Sequence, residues 1–149
     1  MDRDQLRSLI SRILREADLY DESAVELLML TAAVESDLGK IVHQYGGPAL
    51  GVFQMEPMTE EDIHKHYLSR NQYLASVVSN YMTDERGELE WNLAYQILMA
   101  RIHYRRFVRD LPEPDDVEGL AEVWKMYYNT PKGKGTIKKA IESYQVYAL

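Results

Sequence analysis

A chain of 149 residues with 46% hydrophobic side chains can bury one substantial core, and no Pro- or Ser-rich stretch divides it, so it reads as a single domain spanning 1–149. A formal net charge of −7 argues against broad phosphate binding and against nucleic acid as a partner, and the absence of cysteine excludes disulfides and thiolate chemistry. No segment reaches the roughly 18 to 20 apolar residues needed to span a bilayer. Met1 to Gln5 lacks the apolar block of a signal peptide. The chain is thus expected to be soluble, without membrane insertion, and to depend on another component if it works in a periplasm.

Helix signals run through most of the chain. Leu6, Leu9, Ile10, Ile13, Leu14 and Ala17 recur at three and four, predicting a first amphipathic helix. Ser23 with Glu26 forms a capping-box pattern for a second helix, and Gly39 is placed to end it in a positive-φ conformation. The stretch from Lys40 to Met55 is the least helical and has room for one short hairpin. Thr59, followed by Glu60, Glu61 and Asp62, predicts another helix start, with acidic residues favoured by the dipole. Further helices are expected near 72–82, 88–109, 116–128 and 136–147, with Asp110 to Asp116 as a loop. The expected class is mainly α, with about six to eight helices and that one hairpin near 40–55.

Glu35 is the residue out of place. It closes the run from Ala24 to Val34, which has almost no polar face, and on a helical wheel it sits over Leu28, Thr31 and Ala32. A carboxyl held against apolar atoms resists ionising, so its pKa is expected to rise towards neutrality, as a general acid requires. The bland alternative is a helix-end carboxylate satisfied by backbone groups or an arginine. Two other segments give the acid a setting. Gly46 to Pro57 is glycine-punctuated yet apolar, a shaped wall in which Gln54 offers both a donor and an acceptor to a neutral, hydroxyl-rich ligand. Trp124 to Thr130, followed by Pro131, Gly133 and Gly135, places an aromatic and amide pair at the end of a helix.

Glu35-Ser36, then Gly51-Val52-Phe53-Gln54 with Pro57 three residues on, then Tyr128-Asn129 before a glycine-rich turn, resembles the soluble lytic transglycosylases and goose-type lysozymes of the lysozyme-like superfamily. The three signatures fall in that family's order and span residues 35 to 129; the segment from Asn92 to Ile102 is similar to its buried central helix. The combination also resembles compact members carried by tailed bacteriophages. Three departures stand out: Val52-Phe53 replaces Leu-Met, Glu56 stands where an apolar residue is usual, and Thr130-Pro131-Lys132-Gly133 replaces a run of small residues.

The resemblance implies a lysozyme-like domain that cleaves the β-1,4 bond between N-acetylmuramic acid and N-acetylglucosamine in peptidoglycan. Glu35 would be the catalytic acid and base, and Ser36, Gln54, Tyr128 and Asn129 the substrate-binding residues, with no metal and no cofactor. A transglycosylase closing a 1,6-anhydro ring is favoured, because no second carboxylate declares itself: Asp37 faces elsewhere on the helix, and Glu56 serves only if its loop folds inward. A hydrolytic lysozyme of the same fold, a non-catalytic glycan-binding or virion structural protein, and a helical interaction module are the alternatives. Expected partners are glycan strands and proteins of a virion or secretion apparatus, and the expected location is a phage particle or a host periplasm reached through another component.

Other residues carry plainer readings. His64 and His66 are two apart, so a helix points them in different directions and they make a poor metal pair. Most of the eleven tyrosines read as half-buried packing residues. Ser36 has no histidine or lysine beside it in sequence to make it a nucleophile. Lys125, Lys132, Lys134, Lys138 and Lys139 form either a basic patch that steers an anionic glycan or an ordinary solvated face.

Overall fold

The computed structural model describes all residues except Asp84 and Pro131. Among the described residues the chain is mainly helical: α1 (Arg3–Glu16), α2 (Glu22–Ser36), α3 (Pro57–His66), α4 (Gln72–Tyr81), α5 (Glu88–Trp91), α6 (Leu93–Arg105), α7 (Val117–Val123) and α8 (Ile137–Ser143). Two of these helices run on into wider π-helical turns, α7 through Trp124–Asn129 and α8 through Tyr144–Ala148. No described helix is long and apolar enough to cross a membrane.

The architecture is organised by two helices that lack a solvated face. In α2 nearly every residue from Ser23 to Ala33 is buried, and in α6 every residue from Tyr95 to Tyr104 is. A helix apolar on all sides has to be surrounded. Accordingly α2 packs against α1, α6, α7 and α8, while α6 packs against α1, α2, α3, α4 and α5. The amphipathic α1 covers both with Leu6, Ile10, Ile13 and Leu14, in the three-and-four spacing of its sequence.

Buried polar groups inside these helices are matched. Thr31 Oγ1 donates to Leu27 O at 2.7 Å and shares a 2.8 Å hydrogen bond with Tyr104 of α6. Arg101 Nε donates to Leu19 O at 3.1 Å. Glu26 of α2 receives Arg7 Nε at 2.9 Å, Arg7 Nη2 at 3.0 Å and Tyr144 Oη at 2.8 Å, joining α1, α2 and the C-terminal turn.

Several boundaries differ from the sequence reading, each for a local reason. Asp21, not Ser23, caps α2: its carboxylate accepts the Ser23 N–H at 2.8 Å, and Ser23 is then buried inside the first turn. The same helix stops at Ser36, before Gly39, because Asp37, Leu38 and Gly39 all adopt positive φ, at 50°, 61° and 81°. Helix α3 starts at Pro57 and not at Thr59, since proline at the first helical position is pre-set in φ and lacks only an N–H that would be unpaired anyway. The expected 88–109 helix breaks at Asn92, whose side chain caps α6 by accepting the Tyr95 N–H at 3.1 Å. The hairpin near 40–55 is reduced to two isolated antiparallel bridges, His43 with Leu50 and Leu50 with Met55. Asp110 to Asp116 is a loop, as expected.

Candidate active-site cleft

The C-terminal end of α2 opens onto a cleft of about 710 Å³, within the usual range for a ligand site. Glu35 reaches it from α2, Gln54 and Glu56 from the loop before α3, His103 from α6, and Tyr128 and Asn129 from the π-helical turn after α7. Of the five residues assigned from sequence, four therefore meet at one cavity. Ser36 does not join them. Its side chain is buried, with Oγ sharing its one proton between Val52 O at 2.5 Å and Ala32 O at 3.1 Å and accepting the Gly39 N–H at 2.8 Å. With its hydroxyl engaged on three sides, Ser36 braces the strained end of α2 against the cleft loop.

That loop is held in shape from below. Gly51 has φ 81°, and a Cβ there would collide with the Leu89 carbonyl and the Gln96 side chain. Gln96 of α6 accepts the Val52 N–H at 2.8 Å, so the loop lies directly on the central helix. Gln54, itself at φ 48°, donates Nε2 to Gly51 O at 2.9 Å. Among the described residues its Oε1 has no partner, which leaves an acceptor facing the cavity's contents.

Glu35 is half-buried, and among the described residues no cation pairs with it. Burial is the larger influence and drives its pKa from the ordinary carboxylate range to about 7, against the opposing effect of a hydrogen bond from Trp124. Trp124 Nε1 donates to Glu35 Oε1 at 2.9 Å. Because an indole N–H only donates, Oε1 is engaged as an acceptor and Oε2 is left to carry the acid's proton. The comparison with Glu26 on the same helix is direct: Glu26 is neutralised by Arg7, whereas Glu35 has no cation among the described residues and stands at the mouth of a cleft.

The opposite wall is latched. Tyr128 Oη donates to Phe53 O at 2.7 Å, and its ring stacks on Tyr104 with centroids 5.3 Å apart. Burial, reinforced by the nearby Glu35 carboxylate, holds the Tyr128 phenol well above its ordinary pKa, so it stays a neutral donor. Asn129 Oδ1 accepts from Lys125 Nζ at 2.7 Å, which leaves its amide donors for a ligand. Lys125 also donates to Gly133 O at 2.9 Å and Gly135 O at 2.6 Å, using all three of its protons to close the turn. It is therefore a structural cation and no part of a steering patch, whereas Lys134 lines the cleft and is exposed. A Cβ on Gly135 would strike the Trp124 ring at 2.6 Å, so glycine lets the turn lie flat on the indole that touches the acid. Pro131, part of the sequence pattern here, lies outside the described residues.

Comparison with family models, with curated proteins and with solved structures finds no match. What the cleft can do rests on its own geometry. His103 is the cleft residue that the sequence reading passed over. Its Nε2 lies 2.7 Å from Tyr127 O and must carry the proton, so Nδ1 accepts from Arg106 Nη2 at 3.0 Å. Burial, only partly offset by the Tyr127 carbonyl, lowers its pKa to about 4 and keeps the ring neutral. The clue was available in principle, because His103 is a titratable side chain in a helix buried on all sides, as Glu35 is at the end of another.

The remaining candidates fall away from the chemistry. Asp37 lies beside Tyr147 and does not line the cleft. His64 bonds to Tyr95 Oη at 2.8 Å and His66 faces Asp62 at 4.0 Å, so the two imidazoles point apart. Among the described residues no group of three metal-ligating side chains occurs. Glu56 does line the cleft, but its carboxylate is exposed and makes no capping hydrogen bond at the start of α3.

Proposed function

We propose that this protein cleaves the β-1,4 bond between N-acetylmuramic acid and N-acetylglucosamine in peptidoglycan, as a lytic transglycosylase with Glu35 as its general acid and base. One observation carries the reading: a carboxyl with a pKa of about 7 and no cationic partner among the described residues opens onto a cleft of about 710 Å³. At neutral pH such a group is divided between acid and base, the condition for giving a proton and taking one back in a single cycle.

In the first step Glu35 gives its proton to the bridging oxygen. The bond from that oxygen to the muramoyl C1 breaks, the N-acetylglucosamine leaves as an alcohol, and positive charge develops on the muramoyl ring. In the second step the Glu35 carboxylate removes the proton from the muramoyl 6-hydroxyl as that oxygen bonds to C1. The product is a 1,6-anhydro ring and the acid is restored, with no water consumed. Gln54 Oε1 and the Asn129 amide are suited to sugar hydroxyl and acetamido groups, and Tyr128 holds the wall against which the ring would turn.

Glu56 favours a second reading, the hydrolytic lysozyme, because it is a further carboxylate on the same cleft. A water-activating base has to be held in place, and Glu56 is exposed without a side-chain hydrogen bond at its helix start. The single-carboxylate mechanism is therefore preferred. Two measurements test the proposal. A zymogram on purified peptidoglycan should show clearing by the wild type and none by Glu35→Gln; equal clearing, or none by either, rejects the enzymatic reading. Mass spectrometry of the digest should show 1,6-anhydro ends, whereas reducing ends alone would establish the hydrolase.

A further inference from the structure

A second cavity, of about 600 Å³, lies at the C-terminal end of α6 and is lined by Tyr67, Asn71, Arg105, Arg106, Phe107 and Arg109. Three of these six residues are arginines and none is acidic, in a protein whose net charge is −7. Arg106 is already neutralised, with Nη1 donating to Asp62 at 2.7 Å and Nη2 to His103 at 3.0 Å. Its Nε is buried without a hydrogen-bond partner among the described residues and is closed to the cavity, so the charged donors open to a ligand are those of Arg105 and Arg109. Arg105 and Arg109 are exposed, and neither has an acidic partner among the described residues.

A cation in the last turn of a helix offsets the helix dipole, and that accounts for Arg105. It does not account for Arg109, which lies beyond α6, nor for a concave wall. Asn71 Oδ1 accepts the Leu74 N–H at 3.1 Å, which turns that oxygen to the backbone and leaves the amide N–H groups as donors. Tyr67 and Phe107 add apolar surface, and Phe107 is kept in place by stacking on Tyr127 with centroids 5.5 Å apart. The cavity is donor-rich, positively charged and walled by rings, a site for a carboxylate on a short, partly apolar body.

We propose that this pocket binds the free carboxylates of the acidic peptide carried by a peptidoglycan strand. The assignment rests on the lytic reading of the main cleft. The two cavities share a wall: His103 lines the cleft, Arg106 lines the pocket, and the two side chains are hydrogen-bonded to each other. A strand lying in the cleft bears peptides on its muramoyl residues, and these carboxylates supply its negative charge. An arginine pocket one side chain away from the cleft takes up that charge, in a part of the surface separate from Glu35.

Calorimetric titration of the wild-type protein with the tripeptide L-Ala-γ-D-Glu-L-Lys, with the same peptide amidated at both carboxyls, and with inorganic phosphate tests the pocket without any turnover. Binding of the acid form alone, weakened at least about tenfold in the Arg105→Gln/Arg109→Gln double variant, supports the proposal. Both arginines are exposed, so thermal unfolding of the variant should match the wild type and exclude misfolding as the cause. No tripeptide binding, equal binding by the variant, equal binding of the amidated peptide, or phosphate binding in its place overturns it. Tripeptide binding by a protein that clears no peptidoglycan would reject the lytic reading and leave the pocket standing; clearing without tripeptide binding would do the reverse.

Discussion

Trp124 and Glu35 lie 89 residues apart in the chain and are joined by a 2.9 Å hydrogen bond from the indole Nε1 to the carboxylate. The bond favours the ionised form and opposes the desolvation that raises the acid's pKa to about 7. Replacing Trp124 with Phe keeps an aromatic ring against Gly135 and removes the donor. The Glu35 pKa in Trp124→Phe is expected to lie above the wild-type value, and the alkaline limb of the pH–activity profile to move up with it. Carbon-13 titration of the Glu35 carboxyl reads the shift directly; a pKa that falls or stays put would contradict the role given to the indole.

Glu35 makes a site at the expense of stability. Its pKa is about 7 in the folded protein against an ordinary 4.5, so the folded state holds a proton that the unfolded chain has released. Stability linked to this group is complete below pH 4.5 and declines as pH rises through 7, by about 3 kcal/mol in total. Glu35→Gln should therefore be inactive, yet more stable than the wild type by up to about 3 kcal/mol at pH 8, with the gap closing near pH 4. Urea unfolding at the two pH values measures it.

His103 titrates in the opposite sense. Its folded pKa of about 4 lies below the ordinary 6.5, so it contributes stability above pH 6.5 that is lost as pH falls through 4. Between about pH 4.5 and 6.5 the two groups oppose each other at roughly 1.4 kcal/mol per pH unit each, and their slopes cancel. Removing either unmasks the other. His103→Gln should lose stability as pH rises through this window, and Glu35→Gln should lose it as pH falls; unchanged slopes in both variants would show that neither group carries the linkage.

Lys125 spends all three ammonium protons on the 129–135 turn. In Lys125→Met the aliphatic stem stays but three acceptors lose their donor, two of them backbone carbonyls. A destabilisation of about 1–3 kcal/mol is expected. Because Asn129 is released as well, KM for peptidoglycan should rise more than kcat falls. A loss confined to kcat would place Lys125 in the chemistry and not in the wall.

Glu56 separates the two lytic readings. With a single working carboxylate, Glu56→Gln should retain activity within about twofold, since an exposed side chain without partners stabilises little. A loss of a hundredfold or more, of the size a catalytic base contributes, would instead assign Glu56 to water activation.

The helical class, the approximate places of most helices and the exceptional position of Glu35 were legible in the sequence, because each depends on periodicity or polarity within a few turns of chain. Local pattern also marked Gln54, Tyr128 and Asn129 as cleft residues. Boundaries were less legible: Asp21 and Pro57 each outcompeted a start signal two residues further on. Only the tertiary structure decided which carboxylate of α2 is neutralised, since Arg7 reaches Glu26 from another helix while Glu35 meets an indole from the far end of the chain. It likewise turned Ser36 inward to brace backbone, drew Lys125 out of any basic patch, and brought His103 into the cleft. Ionisation and hydrogen-bond partnership are set by groups distant in sequence and close in space, and one chain read in order does not contain those distances.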